Sequence, residues 1–121
     1  MEKIKSHKDL DVWRVSVELV QEIYSLTDKF PCAEKYGLSS QMRRAVSSIP
    51  SNISEGAGRK STKEFKRFLS IASGSLSELD TQLELSQVLG YAESTEELER
   101  KIIRIRQMLA KLMLSLSNRT G

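Results

Sequence analysis

The tightest constraint on this chain is a succession of four apolar stripes, each spaced for one face of an α-helix. Val12, Trp13, Ser16, Val17, Leu19, Val20, Ile23, Tyr24 and Leu26 recur at steps of three and four. This predicts a helix from roughly Asp9 to Asp28, ended by Phe30-Pro31. Leu38, Met42, Ala45, Val46, Ile49 and Ile53 form the second stripe, which starts after a Ser39 cap and runs straight through Pro50. A proline there removes one backbone hydrogen bond and presses on the carbonyl four residues back, so one bent helix is expected. Phe65, Phe68, Leu69, Ala72, Leu76, Leu79 and Leu83 make the third, behind a capping box at Ser61 and Glu64, with an end near Gly90. After a second capping box at Ser94 to Glu97, Leu98, Ile102, Ile105, Leu109, Leu112 and Leu116 alternate steps of four and three, a coiled-coil-like spacing.

Four amphipathic helices joined by short connections, with no strand pattern, predict an all-α fold: an up-down-up-down antiparallel four-helix bundle. With 121 residues, 39% of them hydrophobic, and only two prolines, residues 1–121 read as a single domain with a sizeable core. Gly74 sits mid-helix, where it costs roughly 1 kcal/mol relative to alanine, and is read as a place where another helix approaches closely. The last helix carries Ile103, Ala110, Met113 and Leu114 off its main stripe. That surplus is either a broad core face or a contact between copies in an oligomer.

Several function classes find no support. The start of the chain lacks the apolar core of a signal peptide, and no run approaches the roughly 18 apolar residues of a membrane span, so a soluble, cytoplasmic protein without membrane contact is expected. The one cysteine, Cys32, has no intrachain partner, as suits a reducing compartment. The single histidine, His7, lies in the N-terminal tail and leaves triads, general bases and His-containing metal sites without their central group. No Glu-x-x-His of a di-iron bundle occurs. The expectation is a non-enzymatic protein with no cofactor and no metal.

Asn52 to Ser61, NISEGAGRKS, has the ingredients of a phosphate loop but not the spacing of a P-loop, since Arg59 separates Gly58 from Lys60 and a helix precedes it. It reads first as a hinge, in which Gly56 and Gly58 take the left-handed conformation that stops the second helix and Ser61 caps the third. Lys63, Lys66 and Arg67 then fall in the first turns of that helix, where cations oppose the dipole, a placement that asks for an anion. Bundle topology brings residues 1–14, 55–67 and 111–121 to one pole. They carry eleven cations (Lys3, Lys5, Lys8, Arg14, Arg59, Lys60, Lys63, Lys66, Arg67, Lys111 and Arg119) against five acids, or +6, leaving −3 for the rest of a chain of net +3. Arg59, Lys60, Lys63, Lys66 and Arg67 are the candidate nucleic-acid contacts. The core claims Phe65 and Phe68, so backbone contact rather than base stacking is expected. A second feature is a polar line on the second helix, Arg44, Ser48, Ser51 and Glu55 with Gln41 and Asn52 at its edge. It is either a recognition surface or a hydrogen-bond network that fixes packing, and packing is favoured.

Three stretches, DLDVW, FPCAEKYGLSSQMRRAVSSIPSNISEGAGRKS and EFKRFLSIASGSLSELDTQLELSQVLGY, resemble the 23S rRNA intervening-sequence protein family of small bacterial four-helix bundles. The order Gln41-x-Arg43-Arg44-Ala45 to Asn52-x-x-Glu55-Gly56 carries the resemblance, while the last helix matches only in pattern. The resemblance implies a ring-like homo-oligomer, a pentamer, encoded in some bacteria within segments inserted in large-subunit rRNA genes. The accessory protein of diversity-generating retroelements looks similar in fold, is strongly basic, and binds nucleic acid and a reverse transcriptase. This chain, with a pI near 9.1, is only modestly basic. Two readings follow. The first is an oligomeric bundle that binds RNA or a ribonucleoprotein through its basic pole. The alternative is a scaffold that binds a protein partner, such as a reverse transcriptase, through exposed apolar helix surface.

Overall fold

The structure, a computed structural model, describes residues 7–120, without the side chains of residues 9, 119 and 120. Four helices carry the fold: α1 (Asp11–Thr27), α2 (Leu38–Ala57), α3 (Thr62–Val88) and α4 (Glu96–Thr120), with short 3-10 turns at His7–Asp9 and Cys32–Glu34 and no strand among the described residues. Each helix packs on its chain neighbours, and α4 closes the circuit on α1. The pairings are antiparallel. Gly56, late in α2, meets Phe65 and Phe68, early in α3; Arg106 of α4 reaches Ser77 and Asp80 of α3; Lys101 of α4 pairs with Glu18 and Glu22 of α1.

The core is the expected set of stripes, with Leu19, Ile23, Met42, Ile49, Ile53, Leu69, Leu76, Leu79, Leu83, Ile102, Ile105 and Leu109 sealed from solvent. On α1 the face is rotated from the expected one: Val17 and Tyr24 are exposed, while Val15 and Thr27 are buried. Pro50 lies inside an unbroken α2, with Ile49 and Ile53 both buried beside it. On α4, Met113 packs against the core, whereas Ile103, Ala110 and Leu114 are exposed.

The helix ends differ from expectation in instructive ways. Ser39 does not cap α2 but is buried within it; the preceding residue is Gly37, and the first amide, of Leu38, donates to Glu34 Oε1 at 3.0 Å. The same carboxylate oxygen would lie 2.6 Å from a Cβ at position 37, so a side chain there would push this flexible carboxylate aside. At α3, Ser61 Oγ accepts the Glu64 amide at 3.1 Å as expected, but the Glu64 carboxylate turns to Arg67 instead of closing the box. The helix ends in a Schellman motif: Gly90 has φ +77°, and the Tyr91 amide donates to Ser86 O at 2.8 Å. Because α4 begins at Glu96, Thr95 rather than Ser94 precedes it; the Thr95 carbonyl accepts from Glu99, and its hydroxyl is buried without a hydrogen bond among the described residues.

The glycines exchange roles. Gly56 and Gly58 do not take the left-handed conformation: Gly56 is a helical residue of α2, and Gly58 follows it at φ −84°. A Cβ on Gly56 would stand 2.9 Å from Phe68 Cβ and 3.2 Å from Phe65 O, so this glycine is where two helices touch. Among the described residues nothing lies within 4 Å of a Cβ built on exposed Gly74, and no described helix makes the expected close approach there.

Candidate nucleic-acid interface

The basic pole is assembled as the topology requires. The His7–Asp9 turn lies against α1 and α2, and the start of α1 (Leu10, Asp11, Val12) borders a groove shared with Met108, Lys111 and Leu112 of α4. His7 is not a loose tail residue: its ring meets Trp13 edge-on at 4.9 Å. Lys3 and Lys5, which the sequence adds to this pole, lie outside the described residues, as does the Arg119 side chain.

At the centre is the four-residue turn between α2 and α3. The Ser61 cap takes up the Glu64 amide and fixes the start of α3, the positive end of a helix dipole. Around it the five candidate cations divide into two kinds. Arg67 holds Glu64 through two hydrogen bonds, of 3.0 and 3.3 Å, and Arg59 approaches Glu55 at 3.8 Å. The hydrogen bond from Arg67 holds the Glu64 carboxyl below the ordinary glutamate range, and the same bond raises the guanidinium pKa. Both guanidinium groups lie over the Phe68 ring, Arg67 at 4.5 Å and Arg59 at 4.9 Å from its centre. Phe68 is therefore half-buried beneath arginines rather than sealed in the core as expected, while Phe65 is buried.

Lys60, Lys63 and Lys66 differ: none forms an ion pair with an acid among the described residues. Three ammonium groups beside a helix N-terminus, in no ion pair among the described residues, offer positive charge to a diffuse anion such as a chain of phosphates, although Lys63 also feels the Glu64 carboxylate.

The polar line on α2 separates into local pairs. Asn52 Nδ2 donates to Ser48 O and Oγ at 2.8 and 2.9 Å, and Ser48 Oγ shares a 2.8 Å hydrogen bond with Ser75 Oγ of α3. That chain rivets α2 to α3. Arg44 reaches only Ser40, and Glu55 only Arg59, so the line is not one network.

Residues passed over in the sequence hold the other pole. Arg43, not its neighbour Arg44, caps the C-terminus of α1: its Nε donates to Thr27 Oγ1 at 2.9 Å and its guanidinium lies 4.5 Å over the Tyr24 ring. Glu34 accepts the Leu38 amide with one oxygen and the Tyr91 hydroxyl, at 2.7 Å, with the other, tying the first connection to the last. The amide bond, then the tyrosine bond, hold its carboxyl below the ordinary glutamate range. The helical periodicity gives position 43 no special weight, and nothing local relates residue 34 to residue 91.

A groove of about 700 Å³ between α1 and α4 is lined by Glu22, Lys29, Glu97 and Arg100 among others, mixing acids and cations. Among the described residues, no group of three or more His, Cys, Asp or Glu side chains is placed to hold a metal ion. None of the helices described is long and apolar enough to cross a membrane. A family model described as 23S rRNA-intervening sequence protein matches residues 8–111. No curated protein matches the chain.

Proposed function

The chain belongs to the 23S rRNA-intervening sequence protein family, and we propose that it acts there as a non-enzymatic, oligomeric, cytoplasmic bundle that binds RNA or a ribonucleoprotein through its basic pole. One observation carries this reading: Lys60, Lys63 and Lys66 are in no ion pair among the described residues and cluster at the N-terminus of α3. Phosphates meet a lysine cluster and a helix N-terminus through the same charge interaction, without regard to sequence. Arg59 and Arg67, pinned over Phe68 and held by Glu55 and Glu64, shape the rim and contribute less net charge. A ring, with five subunits favoured by the resemblance, would repeat the pole and multiply weak contacts.

The test is fluorescence anisotropy with labelled single-stranded and hairpin RNA at low salt, comparing the wild type with Lys60→Glu/Lys63→Glu/Lys66→Glu. Acids near the start of α3 suit its dipole, so the fold is retained. Binding should fall at least tenfold for RNA and DNA alike. An unchanged affinity, or no binding by the wild type, removes the reading. The second reading, a scaffold for a protein partner, draws on exposed Ile103 and Leu114. It takes over if substitutions there, and not at the pole, abolish the native interaction.

A further inference from the structure

We propose that Cys32 is a modification site for acidic low-molecular-weight thiols: it exchanges with their disulfides, and the small pocket beside it holds a carboxylate of the added group. This pocket lies at the pole opposite the lysine cluster, and the inference depends neither on RNA binding nor on assembly.

The thiol is exposed, in the connection between α1 and α2. Beside it is a pocket of about 260 Å³, walled by the end of α1, Phe30-Pro31 and the start of α2, with Cys32, Lys35, Ser39 and Arg43 in its lining. An exposed cysteine by itself reacts with whichever disulfide reaches it. Selection comes from the wall.

Ser39 is the wall residue that asks for a ligand. It is 7% exposed, and its hydroxyl forms no hydrogen bond among the described residues. The unpartnered side-chain oxygens sealed from solvent are those of Gln82 and Thr95; that of Ser39 is not sealed, and the pocket is the opening that Ser39 lines. A buried hydroxyl without a partner is costly until a group enters to meet it. The backbone around it has the same need. Glu34 takes the Leu38 amide, and the Gln41 amide donates to Gly37 O at 3.0 Å, which leaves the Ser39 and Ser40 amides without an acceptor among the described residues. Free amides at the start of a 20-residue helix favour an anion.

Charge points the same way. Lys35 forms no ion pair among the described residues, and its ammonium group lies 5.5 Å from the centre of the exposed Tyr36 ring. Arg43 adds a second cation to the lining. The nearby acids are already engaged: Asp28 of the lining meets Arg43 at 3.5 Å, and Glu34 gives one oxygen to the Leu38 amide and the other to the Tyr91 hydroxyl. A carboxylate entering here meets a hydroxyl, helix amides and an ammonium group; a cation meets the same donors unfavourably.

The step balances because the disulfide is itself the oxidant. The Cys32 sulfur, as thiolate, attacks one sulfur of the disulfide. The S–S bond breaks, a mixed disulfide forms, and the second thiol leaves with the proton that Cys32 gave up.

The test follows the intact mass of the full chain over time with three disulfides: oxidised glutathione, which carries carboxylates, neutral 2-hydroxyethyl disulfide and cationic cystamine. Each rate is taken as a ratio to the rate on the same chain unfolded in urea, which removes the reagent's own reactivity. Folding should favour oxidised glutathione over the neutral disulfide several-fold and disfavour cystamine, and Cys32→Ser should gain no mass. Lys35→Glu, at an exposed position, and Ser39→Ala, which breaks no hydrogen bond within the chain, should each reduce the preference with the helical signal in circular dichroism unchanged. A ratio equal for the three reagents, or a preference that survives both substitutions, overturns the proposal. A preference lost in Lys35→Glu but intact in Ser39→Ala overturns the pocket as its source.

Discussion

Gly56 is the residue on which the seam between α2 and α3 turns. An alanine methyl would overlap Phe68 Cβ at 2.9 Å and crowd the Phe65 carbonyl at 3.2 Å, and neither backbone nor Cβ can swing aside as a flexible side-chain end would. Gly56→Ala should therefore destabilise the fold by about 1–3 kcal/mol in urea denaturation, despite the better helix propensity of alanine. Glu34 makes a prediction in pH. Its folded carboxyl titrates below the ordinary value near 4.5, so its contribution is present above that value and lost as pH falls through the lower folded one. At pH 7, Glu34→Gln should be less stable than the wild type, and the gap should narrow as the pH is taken below about 4. A gap of constant size would show that the charge on Glu34 contributes nothing to the cap.

At the scale of the element, α2 is the test of how strongly burial outweighs local preference. A proline inside a helix costs about 3 kcal/mol by propensity, yet α2 runs continuously past Pro50 because Ile49 and Ile53 on either side of it are both fully buried. Pro50→Ala restores the hydrogen bond to Val46 and leaves those side chains in place. The denaturation midpoint should stay level or rise; a marked fall would mean that the proline ring itself is needed for packing. The unbroken α2 was legible in the sequence, because an apolar stripe keeps its phase across the proline. The cap of α2 was not, because Glu34 donates no periodic signal and becomes a cap only once the chain turns at Gly37 and brings the Leu38 amide to its carboxylate.

For the whole molecule the decisive quantity is charge left over after pairing. Arg14 pairs with Asp11, Arg67 with Glu64 and Arg59 with Glu55; the +6 counted along the sequence already subtracts these acids, so it is the tally of eleven cations, not the net charge, that overstates what is free to meet a ligand. The affinity for RNA should fall with salt at a logarithmic slope of about −0.7 per phosphate neutralised on single strands, and about −0.9 on duplex. The lysine triple variant should flatten that slope by the contacts it loses. A salt-independent affinity would place recognition away from the lysines. If the protein forms an oligomer, a variant that dissociates it should bind RNA more weakly with its lysines intact, since repetition of the pole is lost.

The four stripes, the Ser61 cap and the end of α3 near Gly90 are relations among residues within a few positions of one another, and period and side-chain chemistry alone determined them. Short connections then left antiparallel neighbours as the economical arrangement, so the bundle followed from the sequence as well. Tertiary structure decided the rest, because each remaining choice turns on which faces meet. Gly56 and not Gly74 is the glycine two helices share, and Arg43 and not Arg44 closes α1. Glu34 finds Tyr91 across 57 residues of chain, and two of five clustered cations are spent on acids and an aromatic ring. Helical periodicity places a residue on a face of its own helix, but the partner of that face is set by how the helices rotate to fill a common core.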